Sequence, residues 1–197
     1  MPISTQDPPN LWDSPFAIAF LSVGFRRLRC SIPGVVEILD RYRPDVLFLG
    51  DLGVTRNKIG RLRLRIEAVV NEEWLLWTEI REAKGYPVGS GVLIHSSAAK
   101  CISRLQLVKP PNVDYEQWHL AVDGRILGLT LGRPGMAAQL HITGVNEHVA
   151  SDENAQLRGI LLSTLAHTKE DILSKGGLLV CLGDFMLAPR EAEDPFL

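Results

Sequence analysis

Two hydrophobic periods alternate along this chain. Residues 16–23 (FAIAFLSV) form a short apolar run suited to a buried strand. A basic connection with Pro33 and Gly34 follows, and VVEILDRY at 35–42 then sets Val35, Val36, Ile38, Leu39 and Tyr42 at helical spacing, with Pro44 closing the helix. DVLFLGDLGV at 45–54 opens as a second buried strand. Strand, helix and strand in that order predict a parallel pair, because parallel neighbours need a crossover.

Residues 61–70 predict a second helix, and EWLLWTEI at 73–80 and GVLIHSS at 91–97 predict adjacent strands. WHLAV and RILGLTL flank Asp123-Gly124, a strong hairpin signal. GRPG at 132–135 predicts a turn and AAQLHITGV a strand. Ser151 is placed to cap a long helix whose apolar face holds Leu157, Ile160, Leu161, Leu165 and Ile172. Gly176-Gly177 ends that helix, and LLVCLGDF at 178–185 predicts a last buried strand. The class is α/β. Residues 16–190 read as one domain, with a polar arm at 1–15 and a short tail at 191–197.

Composition narrows the class further. The 197 residues are 46% hydrophobic, 22% charged and 7% aromatic, which excludes collagen, coiled coil and extensive disorder. No run approaches the roughly 20 apolar residues of a membrane span, and no basic start leads into an apolar stretch. A soluble, intracellular protein with no membrane partner is expected. Cys30, Cys101 and Cys181 form no CxxC pair, so neither a disulfide framework nor a zinc knuckle is indicated. Cys181, inside an apolar run, reads as a small buried hydrophobe.

The net charge of −2 conceals an asymmetry. Residues 26–65 carry ten Lys and Arg against four Asp and Glu, whereas residues 111–197 carry six against twelve. Arg61, Arg63 and Arg65 lie in the densest basic stretch, RNKIGRLRLR. Such a segment either contacts the phosphate backbone of DNA or RNA, or forms a solvated face paired with the acidic half.

Two acids stand at the ends of apolar strands, Asp51 after DVLFLG and Asp184 after LLVCLG. Carboxylates just past buried strands emerge at a sheet end, where ligands of α/β proteins collect. Two of them suit Mg²⁺, which takes a few carboxylates plus water and phosphate. Each is equally readable as a turn or capping Asp.

In order, the motifs resemble a known family. PDVLFLGDLGV, SGVLIHSS, the GRILGLTL…LHITGVNEHVA…LRGILLSTL stretch and GGLLVCLGDFMLAP resemble successive strands and the helix of the endonuclease/exonuclease/phosphatase superfamily. IAFLSVGFRRLR resembles its opening strand, and the nearest flavour is the endonuclease domain of non-LTR retrotransposons. The resemblance implies a DNase I-like four-layer sandwich, two sheets flanked by helices, lacking the last strand. It also implies Mg²⁺-dependent phosphodiester hydrolysis, with Mg²⁺ held by Asp51 and Asp184.

Carried across residue by residue, the family's site is depleted. Its metal-binding Glu falls on Asp51, its opening Asn on Gly24, its phosphate-binding Tyr on Asn146 and its catalytic Asn on Met186. Asp184 matches, and no terminal Asp-His strand follows within this sequence. His148, beside Glu147 in the NEH segment, is the one histidine near the aligned site. Catalytic candidates are therefore Asp184, Asn146 and His148. Two functional classes follow: a metal-dependent endonuclease domain, or a non-catalytic fold kept as a binding or structural subunit. In the second, a protein partner covers the open sheet edge.

Overall fold

The structure, a computed structural model, describes residues 16–22, 28–70, 73–82, 87–132, 139–146 and 154–185. In chain order these form β1 (Ile18–Ser22), α1 (Leu28–Tyr42), β2 (Val46–Gly50), a 3-10 turn (Arg56–Lys58), α2 (Ile59–Glu67), β3 (Trp74–Glu82) and β4 (Pro87–His95). The second half holds α3 (Ser96–Ala99), β5 (Ile102–Arg104), α4 (Tyr115–Val122), β6 (Ile126–Leu131), β7 (Leu140–Asn146), α5 (Ala155–Ser174) and β8 (Leu178–Asp184). The expected arm and tail, 1–15 and 191–197, lie outside the described residues.

The strands make two four-stranded sheets, one ordered β1-β2-β4-β3 and the other β5-β6-β7-β8. β1 and β2 are parallel, as the crossover helix between them requires, and β7 and β8 are parallel around α5. Side-chain alternation divides each strand between two cores. Val46 and Phe48 of β2 join Val92, Ile94, Leu127, Leu129 and Ile142 between the sheets. Leu47 and Leu49 point the other way, onto Val35 and Leu39 of α1 and Leu62 and Ile66 of α2. On the far side, Ala121 of α4 and Ile160, Leu161 and Leu165 of α5 cover Ile126 and Val145. Helix, sheet, sheet, helix is the four-layer sandwich that the motifs imply. Glu79 and Arg104, 2.5 Å apart, join β3 to β5 at the sheets' outer edges.

A glycine permits one close contact between the sheets. Phe48 is 1% exposed and lies over Gly144 of β7, where a Cβ would come within 2.4 Å of its Cδ1. Only a bare backbone admits the ring there.

Four expectations are corrected. WHLAV is not a strand but part of α4: Asp114 caps it, its Oδ1 accepting the Gln117 N–H at 2.8 Å, and Asp123-Gly124 links helix to strand instead of closing a hairpin. β8 is not fully buried, since it is the edge of its sheet and leaves Leu178 64% and Val180 38% exposed. Cys181 is exposed as well. The helix expected at 61–70 begins earlier, at Ile59. Ser151 and most of GRPG lie outside the described residues, and Asn154 stands at the N-cap of α5. No helix among the described residues is long and apolar enough to cross a membrane.

Two stability measurements follow. Gly144→Ala must displace Phe48 and is expected to cost about 1–3 kcal/mol in urea unfolding. Gly159→Ala, with nothing within 4 Å of its added Cβ on α5, should gain up to about 1 kcal/mol. His141, 9% exposed, has its pKa lowered by burial and by the Lys175 cation, against an opposing pull from Asp171. The unfolded chain therefore binds this proton more readily, and stability should fall as pH drops below about 6.5, the unfolded value. His141→Gln should remove that part of the pH dependence of Tm.

Candidate functional site

The parallel strands of both sheets finish at one end of the sandwich. Ser22 pairs with Gly50, and Asn146 pairs with Asp184. Phe48 over Gly144 fixes the distance between β2 and β7, so that Asp51 emerges at the same end as Asn146 and Asp184. By strand alternation Asn146 and Asp184 share the inner face with Ile142 and Leu182, toward the other sheet. The structure thus brings together three of the four residues expected at the site. The fourth, His148, lies outside the described residues with Glu147, Gly24 and Met186.

Local backbone sets the acids' directions. Asp51 has φ +55, a left-handed conformation that Asp adopts more readily than most residues, and Gly53 follows at φ +56. The chain kinks there without reversing, and past the kink the Leu52 N–H continues the antiparallel course along β4, donating to the Gly89 carbonyl at 2.8 Å. Asp184 follows Gly183, where a Cβ would lie 1.9 Å from the Val145 carbonyl oxygen. That contact seats the end of β8 against β7. Asn146 is 7% exposed, so its amide belongs to the floor of the site.

The sequence reading missed Arg125. It opens β6 beside Asn146, whose N–H donates to the Arg125 carbonyl at 2.8 Å. Burial lowers the pKa of its guanidinium, the Asp51 carboxylate raises it, and the Arg81 cation lowers it again. The signal available was an arginine at the head of an apolar strand, just after a turn glycine. The hairpin reading placed Arg125 at the head of the strand RILGLTL and gave it no role.

Arg125 bears on the Mg²⁺ question. Asp51 and Asp184 alone make an acceptable pair for Mg²⁺. With a guanidinium acting on Asp51, however, a divalent ion would meet a resident positive charge at one of its two ligands. Among the described residues no group of three ligating side chains forms. Among the described residues, Asp51 and Asp184 are the carboxylates placed to hold Mg²⁺ here, and the Arg125 charge competes for the first of them.

The basic stretch is split by the fold. Arg63 donates to the Leu76 carbonyl at 3.1 Å and lies 3.7 Å from Glu67, so it serves its own domain. Arg61 and Arg65 are exposed on α2, one turn apart. His95 and His141 sit near the opposite strand ends from the acids, His119 pairs with Asp123 at 3.1 Å, and the His167 ring contacts the Ser163 carbonyl at 2.9 Å.

No protein-family profile and no curated sequence matches the chain. Solved structures do. Humanized D. rerio TDP2 carrying 14 mutations has a TM-score of 0.55 at 17% identity, over 88% of this chain and 67% of its own. A Neisseria 3′ phosphatase, NExo (D146N), bound to a product DNA hairpin, has 0.54 at 18% identity, over 90% and 60%. An endonuclease/exonuclease/phosphatase family protein from Leptotrichia buccalis C-1013-b has 0.55 at 11% identity, over 87% and 67%. This chain spans about two thirds or less of the length of each. Two mixed four-stranded sheets between helix layers are the fold that this chain shares with these structures.

Proposed function

We propose that this chain binds the phosphodiester backbone of nucleic acid on a nuclease fold, without hydrolysing it at a nuclease's rate. One observation carries the reading: Asp51, Asn146 and Asp184 converge with Arg125 at the sheet ends, where a phosphate would meet a cation and hydrogen-bonding groups. Loss of turnover rests on what the site lacks. Gly24 and Met186 stand where the family resemblance places Asn, and Asn146 where it places Tyr. Each missing acid–base or electrostatic group typically costs 10²- to 10⁴-fold.

Two of the neighbours support nucleic acid as the ligand class. One D. rerio TDP2 structure is a complex with a single-strand DNA product, and the Neisseria phosphatase is bound to a DNA hairpin. The edge of β8 supports a further role for a protein partner. Among the described residues β8 pairs on one side only, and that edge with the exposed Leu178 and Val180 suits an added strand from another chain. The second reading, a Mg²⁺-dependent endonuclease, is favoured by one feature, the two acids at a common end.

Incubation of supercoiled plasmid with the protein and Mg²⁺ or Mn²⁺ separates the two. Nicking no greater than that of Asp184→Ala is expected. Nicking that the substitution abolishes would establish the endonuclease reading. In salt titrations of DNA affinity, Arg61→Gln and Arg65→Gln are each expected to reduce the slope by about 0.7–0.9. Arg63→Gln should leave the slope near wild type and lower Tm instead. Equal slope changes at all three positions would contradict the division drawn on α2.

A further inference from the structure

The end of the sandwich that carries the acids also carries a fixed cation, and the backbone shows how it is held. Gly124, at φ +72, lies so close to β4 that a Cβ there would come within 2.6 Å of the Val88 carbonyl oxygen. The Ser90 hydroxyl donates to the Gly124 carbonyl at 2.8 Å. Residue 125 is thereby set against the 88–90 stretch of β4. From the other side, Leu52 bonds to Gly89 in that same stretch, which brings Asp51 to it as well. The third tie is the Asn146 N–H to the Arg125 carbonyl. One backbone bond to Asn146 and the Ser90 hydroxyl on the preceding Gly124 fix the backbone of Arg125, and the Leu52–Gly89 bond brings Asp51 to the same stretch of β4.

A second arginine stands behind it. Arg81 pairs in register with Val88, and its guanidinium donates to the Leu120 carbonyl in the last turn of α4. That bond commits Arg81 to the helix end, where cations are favoured. Its charge still repels that of Arg125 and is partly answered by Asp123. The acids and the two guanidinia leave the site close to electrically balanced, with the positive charge already in place.

We infer that Arg125 is the resident cation of this site and binds a ligand phosphate directly, with Asp51 as the carboxylate that positions it, in the place a divalent metal would otherwise take. The inference rests on the phosphodiester-binding reading and specifies its chemistry. A guanidinium has five N–H donors in a planar fork. It can give one edge to Asp51 and the other to a phosphate, which an ammonium cannot do with the same geometry. Asp51 is therefore a positioning residue for an arginine. That role explains why the shorter acid suffices where the family resemblance places a Glu.

The test is fluorescence-anisotropy titration of the whole chain with a short labelled single-stranded DNA, in EDTA and again in Mg²⁺, with Tm confirming that each variant folds. Affinity is expected to be the same in both buffers. Arg125→Met should weaken it roughly 10- to 100-fold, the value of a hydrogen-bonded charge on phosphate. Arg125→Lys, which keeps the charge and loses the fork, should fall between. Asp51→Asn, which leaves the Arg125 guanidinium without its positioning carboxylate, should weaken binding less than Arg125→Met does, and by the same factor in EDTA and in Mg²⁺.

A metal site makes the affinity depend on Mg²⁺, and binding that needs Mg²⁺ and is lost in Asp51→Asn overturns the inference. So does unchanged affinity in folded Arg125→Met. If Arg125→Met does not fold, Asp51→Asn/Arg125→Met removes both charges together and is read in the same way. Absence of any DNA binding by the wild type overturns the phosphodiester reading instead. Calorimetry with inorganic phosphate then decides the arginine alone: phosphate bound by wild type and lost in Arg125→Lys supports it, and no phosphate bound overturns it.

Discussion

The ring of Phe48 resting on the bare backbone of Gly144 is the contact on which the placement of the site depends. Sandwich sheets ordinarily pack about 10 Å apart, and side chains from both inner faces fill the gap. Here the ring of Phe48 from β2 lies over the bare backbone of Gly144 on β7, an approach that a Cβ at 144 would block. The carboxyl ends of β2 and β7 follow directly, at Asp51 and Asn146. Gly183, pressed on the Val145 carbonyl, brings Asp184 to the same place. Three strands from two sheets deliver polar groups to one end because two glycines leave room.

The electrostatics at that end follow from the same geometry. An acid brought there by a strand would be costly beside another acid unless a cation answered it. The α4–β6 turn supplies that cation, and the turn is held by Gly124 against β4, the strand that also accepts the Leu52 N–H. Site and scaffold share these hydrogen bonds. The opposite situation holds along β8, whose inner-facing Leu178 and Val180 reach the edge of the core with no further strand beside them among the described residues.

Much of this architecture was legible in the sequence, where a period dominated over long enough stretches. The 16–54 segment carries two apolar runs around a helical pattern, and it forms a parallel pair. Asp51 and Asp184 were visible as acids ending such runs. What failed was local ambiguity. Asp123-Gly124 is an excellent hairpin turn, yet Trp118, Ala121 and Val122 repeat at helical spacing, and Asp114 with Gln117 three residues on is a helix start. Weighing those against the dipeptide would have recovered α4. The exposure of β8 was not legible at all. LLVCLGD reads the same whether one or two strands flank it, because an edge is defined by what pairs with a strand rather than by its own residues.

The central claim is that the charge answering Asp51 belongs to the protein. Nuclear magnetic resonance of the ¹⁵N-labelled chain tests it most directly, with the Arg125 Nε–H and the amides of Asp51, Asn146 and Asp184 followed during separate additions of phosphate and Mn²⁺. Phosphate is predicted to shift the Arg125 side-chain signal and the neighbouring amides, while Mn²⁺ at low ratio leaves them sharp. Selective paramagnetic broadening around Asp51 and Asp184, with the Arg125 signal indifferent to phosphate, would contradict the account.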